Sequence, residues 1–137
     1  MKISKKLIEV VAAIIKIQGK YLCCQRKKNK LTYLSEKYEF PGGKIENNET
    51  KEEALKREIK EELGLIINIE KFFKTITHSY PDFDLTMHCY ICTLEEFDIK
   101  LNYHISYKLL ESEKLHTLDW VPADIEIVNL LKEKHGI

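Results

Sequence analysis

Glu58, Glu61 and Glu62 crowd three carboxylates into five residues of a segment that reads as a helix, and side chains so placed ask for a cation. With Glu58 set at zero and about 100° of turn per residue, Glu62 falls at about 40° and Glu61 at about −60°, so all three share an arc of roughly 100°. Leu55, Ile59 and Leu63 run beside that arc as the stripe that must face a core, while Glu53, Lys56 and Lys60 take the far side. The acidic ridge therefore sits at the border of the buried face. An ordinary solvated helix would pair Glu52 with Lys56 and Glu53 with Arg57, each pair contributing about 0.3 kcal/mol. It leaves Glu58 and Glu62 as a like-charged pair four apart, with no basic residue four positions ahead of either; only Glu61 has Arg57 there. Ligands that are all oxygen select a hard cation, Mg²⁺ first and Mn²⁺ next. Magnesium completes its shell with water and substrate phosphates, so such a ridge points to phosphate chemistry.

The elements that must position the ridge are legible on both sides. Thr50 and Glu53 form a T-x-x-E capping box, and Gly64 supplies the stop, which predicts a helix between them. Ahead of it, Tyr38 to Phe40 reads as a short strand running into Pro41-Gly42-Gly43, where the glycines let the chain turn and let a ligand approach the main chain. A phosphate-loop reading of Gly43-Lys44 fails, because position 38 is Tyr and Ile45 stands where a hydroxyl residue is required. Leu7 to Ile17 is apolar on both faces, as a central strand is, and Gln18-Gly19-Lys20 turns it into a partner over Tyr21 to Gln25. The lysine-rich stretch from Arg26 to Lys37 is either a solvated loop or a basic flap over an anion.

Strands are predicted over Leu65 to Ile69, Phe72 to His78 and Leu85 to Leu94, with Tyr80-Pro81-Asp82-Phe83-Asp84 as a hairpin loop and a further short strand over Phe97 to Leu101. Glu111 to Leu115 is a weak helix. A clearer one runs from about Pro122 to His135, with Asp124 in its first turn, Lys132, Lys134 and His135 in its last, and Ile125, Ile127, Val128, Leu130 and Leu131 forming a wide apolar face. There is no repeat or linker, so one α+β domain over 1–137 is expected.

Bulk properties exclude several classes. The 137 residues carry 22 basic and 22 acidic side chains, a balance unsuited to coating a nucleic-acid polymer. Cys23, Cys24, Cys89 and Cys92 lie in strand-like runs where residues one or three apart point to opposite faces, which disfavours a zinc or redox pair and fits buried apolar thiols. Glu9 interrupts the signal-like start, and no run approaches a membrane span, so a soluble cytoplasmic protein is expected. Nothing decides between monomer and homodimer.

Read together, Gly43, five residues, Glu49, seven residues, Arg57-Glu58-Ile59, one residue, Glu61-Glu62, one residue and Gly64-Leu65 resemble the full Nudix box at every fixed position. Tyr38 to Glu46, Gln25-Arg26 and the closing Trp120 to Asp124 look like the flanks of its MutT-type subgroup. The resemblance implies a mixed β-sheet between α-helices (α/β/α) and Mg²⁺-dependent cleavage of a small nucleotide substrate, a nucleoside triphosphate going to the monophosphate and pyrophosphate. It implies Glu58, Glu61, Glu62 and the Gly42 carbonyl as metal ligands. Arg57 would orient the glutamates, Glu49 would support the loop, and Glu58 or Glu61 would activate water. Asp124 matches the base-reading position, Phe40, Tyr38 and Tyr80 are candidate walls for the base, and Arg26, ahead of Lys27, is a candidate phosphate contact. The chain departs from the pattern at Tyr103, where many relatives carry a loop glutamate; Glu95, Glu96 and Asp98 are candidate substitutes. The expected substrate is 8-oxo-dGTP or another oxidised purine triphosphate. The rivals are CTP or a modified dCTP, and a non-catalytic nucleotide-binding domain.

Overall fold

A computed structural model describes residues 5–133 of the chain. Its centre is β1 (Lys6–Ile17), whose alternate residues enter two separate cores. Ala12 and Ile14 join one core with Trp120, Ile127 and Leu131, while Val11, Ala13 and Ile15 join the other with Leu55, Ile59 and Leu63. That is why the strand is apolar on both faces. The cysteines divide as strand geometry requires, Cys23 and Cys89 on one side, Cys24 and Cys92 on the other, all buried and free.

The remaining elements are β2 (Lys20–Gln25), β3 (Tyr38–Glu39), β4 (Gly42–Lys44), α1 (Lys51–Leu63), β5 (Ile67–Ser79), β6 (Phe83–Leu94), β7 (Ser106–Leu110), a 3-10 turn over Ser112–Thr117, and α2 (Pro122–Glu133). The strands form a mixed sheet in the order β3-β2-β1-β6-β5, with β4 pairing β1 and β7 pairing β2. The β1–β6 pair is parallel, from Lys6 opposite Phe83 to Lys16 opposite Thr93. With α1 on one face and α2 on the other, the α+β sandwich expected for the sequence is what forms. Among the described residues, no helix is long and apolar enough to cross a membrane.

Several expectations are corrected. Leu65 to Ile69 and Phe72 to His78 are not separate strands; β5 runs unbroken, with register shifts at Ile69/Lys71 and Phe72/Lys74 that scramble its polar alternation. Phe97 to Leu101 is not a strand. It crosses the end of α1, where the Lys100 and Asn102 amides donate to the Leu63 and Glu62 carbonyls at 2.8 and 3.0 Å. The Gly42-Gly43 turn is itself a strand, and β7, whose side chains are mostly half-exposed, shows no alternation to predict it. In α2, Ile125 faces water rather than the core, and the buried face uses Ala123 and Asp124 instead. The expected last turn with Lys134, His135 and Gly136 lies outside the described residues.

The helix carrying the glutamates starts and stops as its sequence predicts. The Thr50 hydroxyl accepts from the Glu53 amide at 3.1 Å, the Glu53 carboxylate accepts from the Thr50 amide at 2.8 Å, and Gly64 closes the helix at φ 67°. Glu53 is thereby taken up by the cap, so the Glu53–Arg57 pair does not form, and Arg57 turns to the loop ahead of the helix.

Candidate active site

A cleft of about 530 Å³ opens between α1, β4 and the start of α2, and it holds nearly every residue singled out in the sequence. Arg26, Phe40, Gly42, Gly43, Arg57, Glu58, Glu61, Glu62, Tyr80 and Asp124 all line it. Glu49 and Gly64 lie outside the cleft and act on the frame.

Arg57 is the hub of that frame. Its Nε and Nη2 hold both Glu49 carboxylate oxygens, at 2.5 and 2.9 Å, and Nη2 also donates to the Lys44 carbonyl at 3.1 Å. The same guanidinium approaches Glu46 at 3.2 Å, Glu61 at 3.3 Å and Glu58 at 3.6 Å. A planar fork suits this clamp where a lysine would not. These hydrogen bonds hold the Glu49 carboxyl down at about 2. The clamp ties the loop after β4 to the second turn of α1.

The three glutamates share the ridge but not one environment. Glu61 is 59% exposed, Glu58 is 14% exposed and lies against Gly43, and Glu62 points inward with its Oε1 buried and unpartnered. Among the described residues no three His, Cys, Asp or Glu side chains are gathered into a cation cluster. Burial raises the Glu58 carboxyl, and burial followed by the charges of Glu39 and Glu58 pushes Glu62 up to about 8. A buried acceptor with no donor, among carboxylates whose ionisation is penalised, is what a divalent cation would relieve; the donor set fits a hard one.

Glu62 also ties stability to pH. A carboxyl whose pKa is raised by folding favours the folded state while protonated, a contribution complete below the ordinary 4.5 and lost as pH rises through about 8. In chelator, the melting temperature should fall across that window, and Mg²⁺ should restore more at its upper end than at its lower end. A melting temperature that ignores both pH and Mg²⁺ there would contradict this.

Sequence reasoning missed Glu39 as a site residue. It accepts from Arg26 Nη1 and from His104 Nε2, each at 2.9 Å, and it raises the neighbouring Glu62. The available signal was a charged residue between buried Tyr38 and Phe40. Arg26, expected on a phosphate, lines the cleft but is engaged with Glu39, its Nε buried and without a partner. Tyr103 does face the cleft, with the Lys27 ammonium 5.5 Å from its ring centroid. Glu95, Glu96 and Asp98 do not replace an acid there; they line a separate hollow beside Gly64 and Leu65.

The other end of the cleft is apolar. Phe40 stacks on Trp120 with centroids 4.7 Å apart, and Tyr80 on Tyr33 at 4.9 Å. Tyr33, tied by its hydroxyl to Asp82 at 2.6 Å, and Leu34 show that the Arg26 to Lys37 loop brings apolar groups as well as charge to this end. Asp124 is 2% exposed and accepts the Phe40 amide at 2.8 Å. Tyr38 fixes this geometry by exchanging backbone hydrogen bonds with Asp119 and Val121, at 2.8 and 2.9 Å, just ahead of α2. Burial, and then the charge of Glu39, holds the Asp124 carboxyl well above the usual range. Tyr38 itself is not among the residues lining the cleft.

Known proteins resemble this chain in sequence and fold. The model of the NUDIX domain matches residues 10–130. An E. coli protein named CTP pyrophosphohydrolase is 32% identical over 125 residues, 90% of each chain. A Proteus vulgaris 8-oxo-dGTP diphosphatase is 43% identical over 56 residues, which span 41% of this chain and half of that relative's length. The solution structure of a MutT protein of the Nudix hydrolase family, from methicillin-resistant Staphylococcus aureus, is 38% identical, superimposes with a TM-score of 0.73, and is covered over 99% of its length by 96% of this chain.

Proposed function

The chain belongs to the NUDIX family and is a Nudix hydrolase, and from that premise we propose that it is a Mg²⁺-dependent nucleoside triphosphate pyrophosphohydrolase acting on oxidised purine nucleotides such as 8-oxo-dGTP. One observation carries the reading: a single cleft joins the Glu58, Glu61 and Glu62 ridge at one end to Asp124 and stacked aromatic rings at the other. Carboxylates at one end and an apolar wall at the other suit a ligand with a polyphosphate tail and a flat, apolar head.

In this reading Glu58, Glu61, Glu62 and the Gly42 carbonyl hold the metal, Mn²⁺ being the alternative to Mg²⁺. The bound metal would neutralise phosphate charge and acidify water. Arg57 positions Glu58 and Glu61 through its clamp on Glu49, and it keeps the β4 loop in register with the helix. Glu58 or Glu61, both lining the cleft, would take the proton of the attacking water. Water adds at phosphorus and the anhydride bond between the α- and β-phosphates breaks, which gives nucleoside monophosphate and pyrophosphate. Asp124, oriented by the Phe40 amide that it accepts, presents the polar edge to the base inside an otherwise apolar wall.

A second reading, CTP or a modified dCTP as substrate, is supported by the E. coli relative that matches over nine tenths of both chains. A panel of normal and oxidised nucleoside triphosphates, assayed with Mg²⁺ and with Mn²⁺, separates the two. The oxidised purines should give the highest kcat/KM. A preference for cytosine nucleotides would move the assignment to the second reading, and no turnover of any member would overturn both.

A further inference from the structure

Tyr80 does more than wall the cleft. Its ring is packed among Tyr33, His78 and Phe83, with centroid distances of 4.9, 4.4 and 4.9 Å, and the residue is 3% exposed. Its hydroxyl oxygen accepts the Ala123 amide at 2.9 Å, in the first turn of α2. A phenol carries one proton, and an oxygen that is already receiving an N–H must aim that proton away from it. Tyr80 lines the cleft, as does Asp124, which follows Ala123 in the chain and whose Oδ2 is already taken by the Phe40 amide. Phe83, Leu85, Met87 and Leu34 complete this end, and none of these side chains is an oxygen or nitrogen acceptor. Tyr33, stacked on the Tyr80 ring at an interplanar angle of 15° and anchored to Asp82, prevents the ring from swinging aside.

We propose that the Tyr80 hydroxyl is a specificity-determining proton donor, selecting a base that offers a carbonyl oxygen over one that offers an amino group at the same place. The inference rests on the reading above, in which the nucleobase sits at the Asp124 end. A carbonyl completes the hydrogen bond. An amino group sets N–H against O–H, a mismatch of the kind by which polar sites discriminate most strongly. A 6-oxopurine is thereby favoured over adenine, and the donor works against the exocyclic amine of cytosine.

Equilibrium binding of monophosphates tests this without turnover. Deoxyinosine and deoxyadenosine monophosphates differ at the 6-position, where one carries oxygen and the other an amino group. Wild-type protein should bind the inosine nucleotide at least about tenfold more tightly. In Tyr80→Phe that preference should shrink by about five- to tenfold, chiefly through weaker binding of the inosine nucleotide, with melting temperature read alongside. Equal affinity of the two nucleotides for the wild type overturns the proposal even if the variant does not fold. An equal loss for both in a folded Tyr80→Phe also overturns it, since that is the signature of a packing role. Because binding is read directly, absence of hydrolysis in the triphosphate panel would sink the enzymatic reading and leave this result interpretable.

Discussion

Glu61→Gln and Glu62→Gln should each slow pyrophosphate release by roughly a thousandfold while leaving the fold intact, because amide replaces carboxylate without changing shape. The two variants are expected to part company in stability. Glu62 is inward, with Oε1 unpartnered, and its ionisation is opposed by burial and by Glu39 and Glu58. Removing that charge should raise the melting temperature in chelator at a pH of about 8, where the wild-type carboxyl is forced to ionise. Glu61 is 59% exposed and paired with Arg57, so its replacement should leave stability nearly unchanged. Activity lost in both with stability gained in one is the pattern of a cation site assembled from unlike environments. A Glu62→Gln protein that is less stable in chelator, or that retains its turnover, would contradict that assignment.

The paired glycines supply the second large effect. A Cβ on Gly43 would stand 2.3 Å from Glu58 Oε2, while a Cβ on Gly42 would stand 1.9 Å from the Val11 carbonyl oxygen and 2.8 Å from the Ala12 Cα. The first clash is with the end of a movable side chain, the second with the backbone of the central strand. Gly43→Ala should therefore fold nearly as well as wild type yet lose about a hundredfold in turnover, since Glu58 must swing out of the ridge. Gly42→Ala should cost about 3 kcal/mol of stability, because β4 cannot separate from β1 without losing the register Ala12–Gly42 and Val11–Gly43. Urea denaturation read beside pyrophosphate release distinguishes them. Equal stability losses in the two variants would show that Gly43 serves the strand rather than Glu58.

Which parts of this were legible in the sequence follows from how local each signal was. The α1 boundaries needed only Thr50, Glu53 and Gly64, all within one helix, and the two-faced β1 needed only its run of apolar residues. The identity of Gly42 and Gly43 as a strand against β1 depended on a partner thirty residues earlier, so a turn was the natural reading. The β5 bulges hid one strand as two, because each shifts the inward-facing set by one residue. In the site, the ridge was visible because its spacing is a helix property. Glu39 was not, since its meaning comes from Arg26 and His104 on either side, one of them 65 residues away. Tyr80 was legible as an aromatic near the site, but the orientation of its hydroxyl depends on an amide 43 residues downstream.

The central claim, that the glutamate ridge directs hydrolysis to the bond that releases pyrophosphate, is tested most directly by product analysis of the wild-type protein. Incubated with 8-oxo-dGTP and Mg²⁺, it should yield nucleoside monophosphate and pyrophosphate in equal amounts, and chelation should stop the reaction. Orthophosphate with nucleoside diphosphate as the products, or undiminished turnover in chelator, would contradict it.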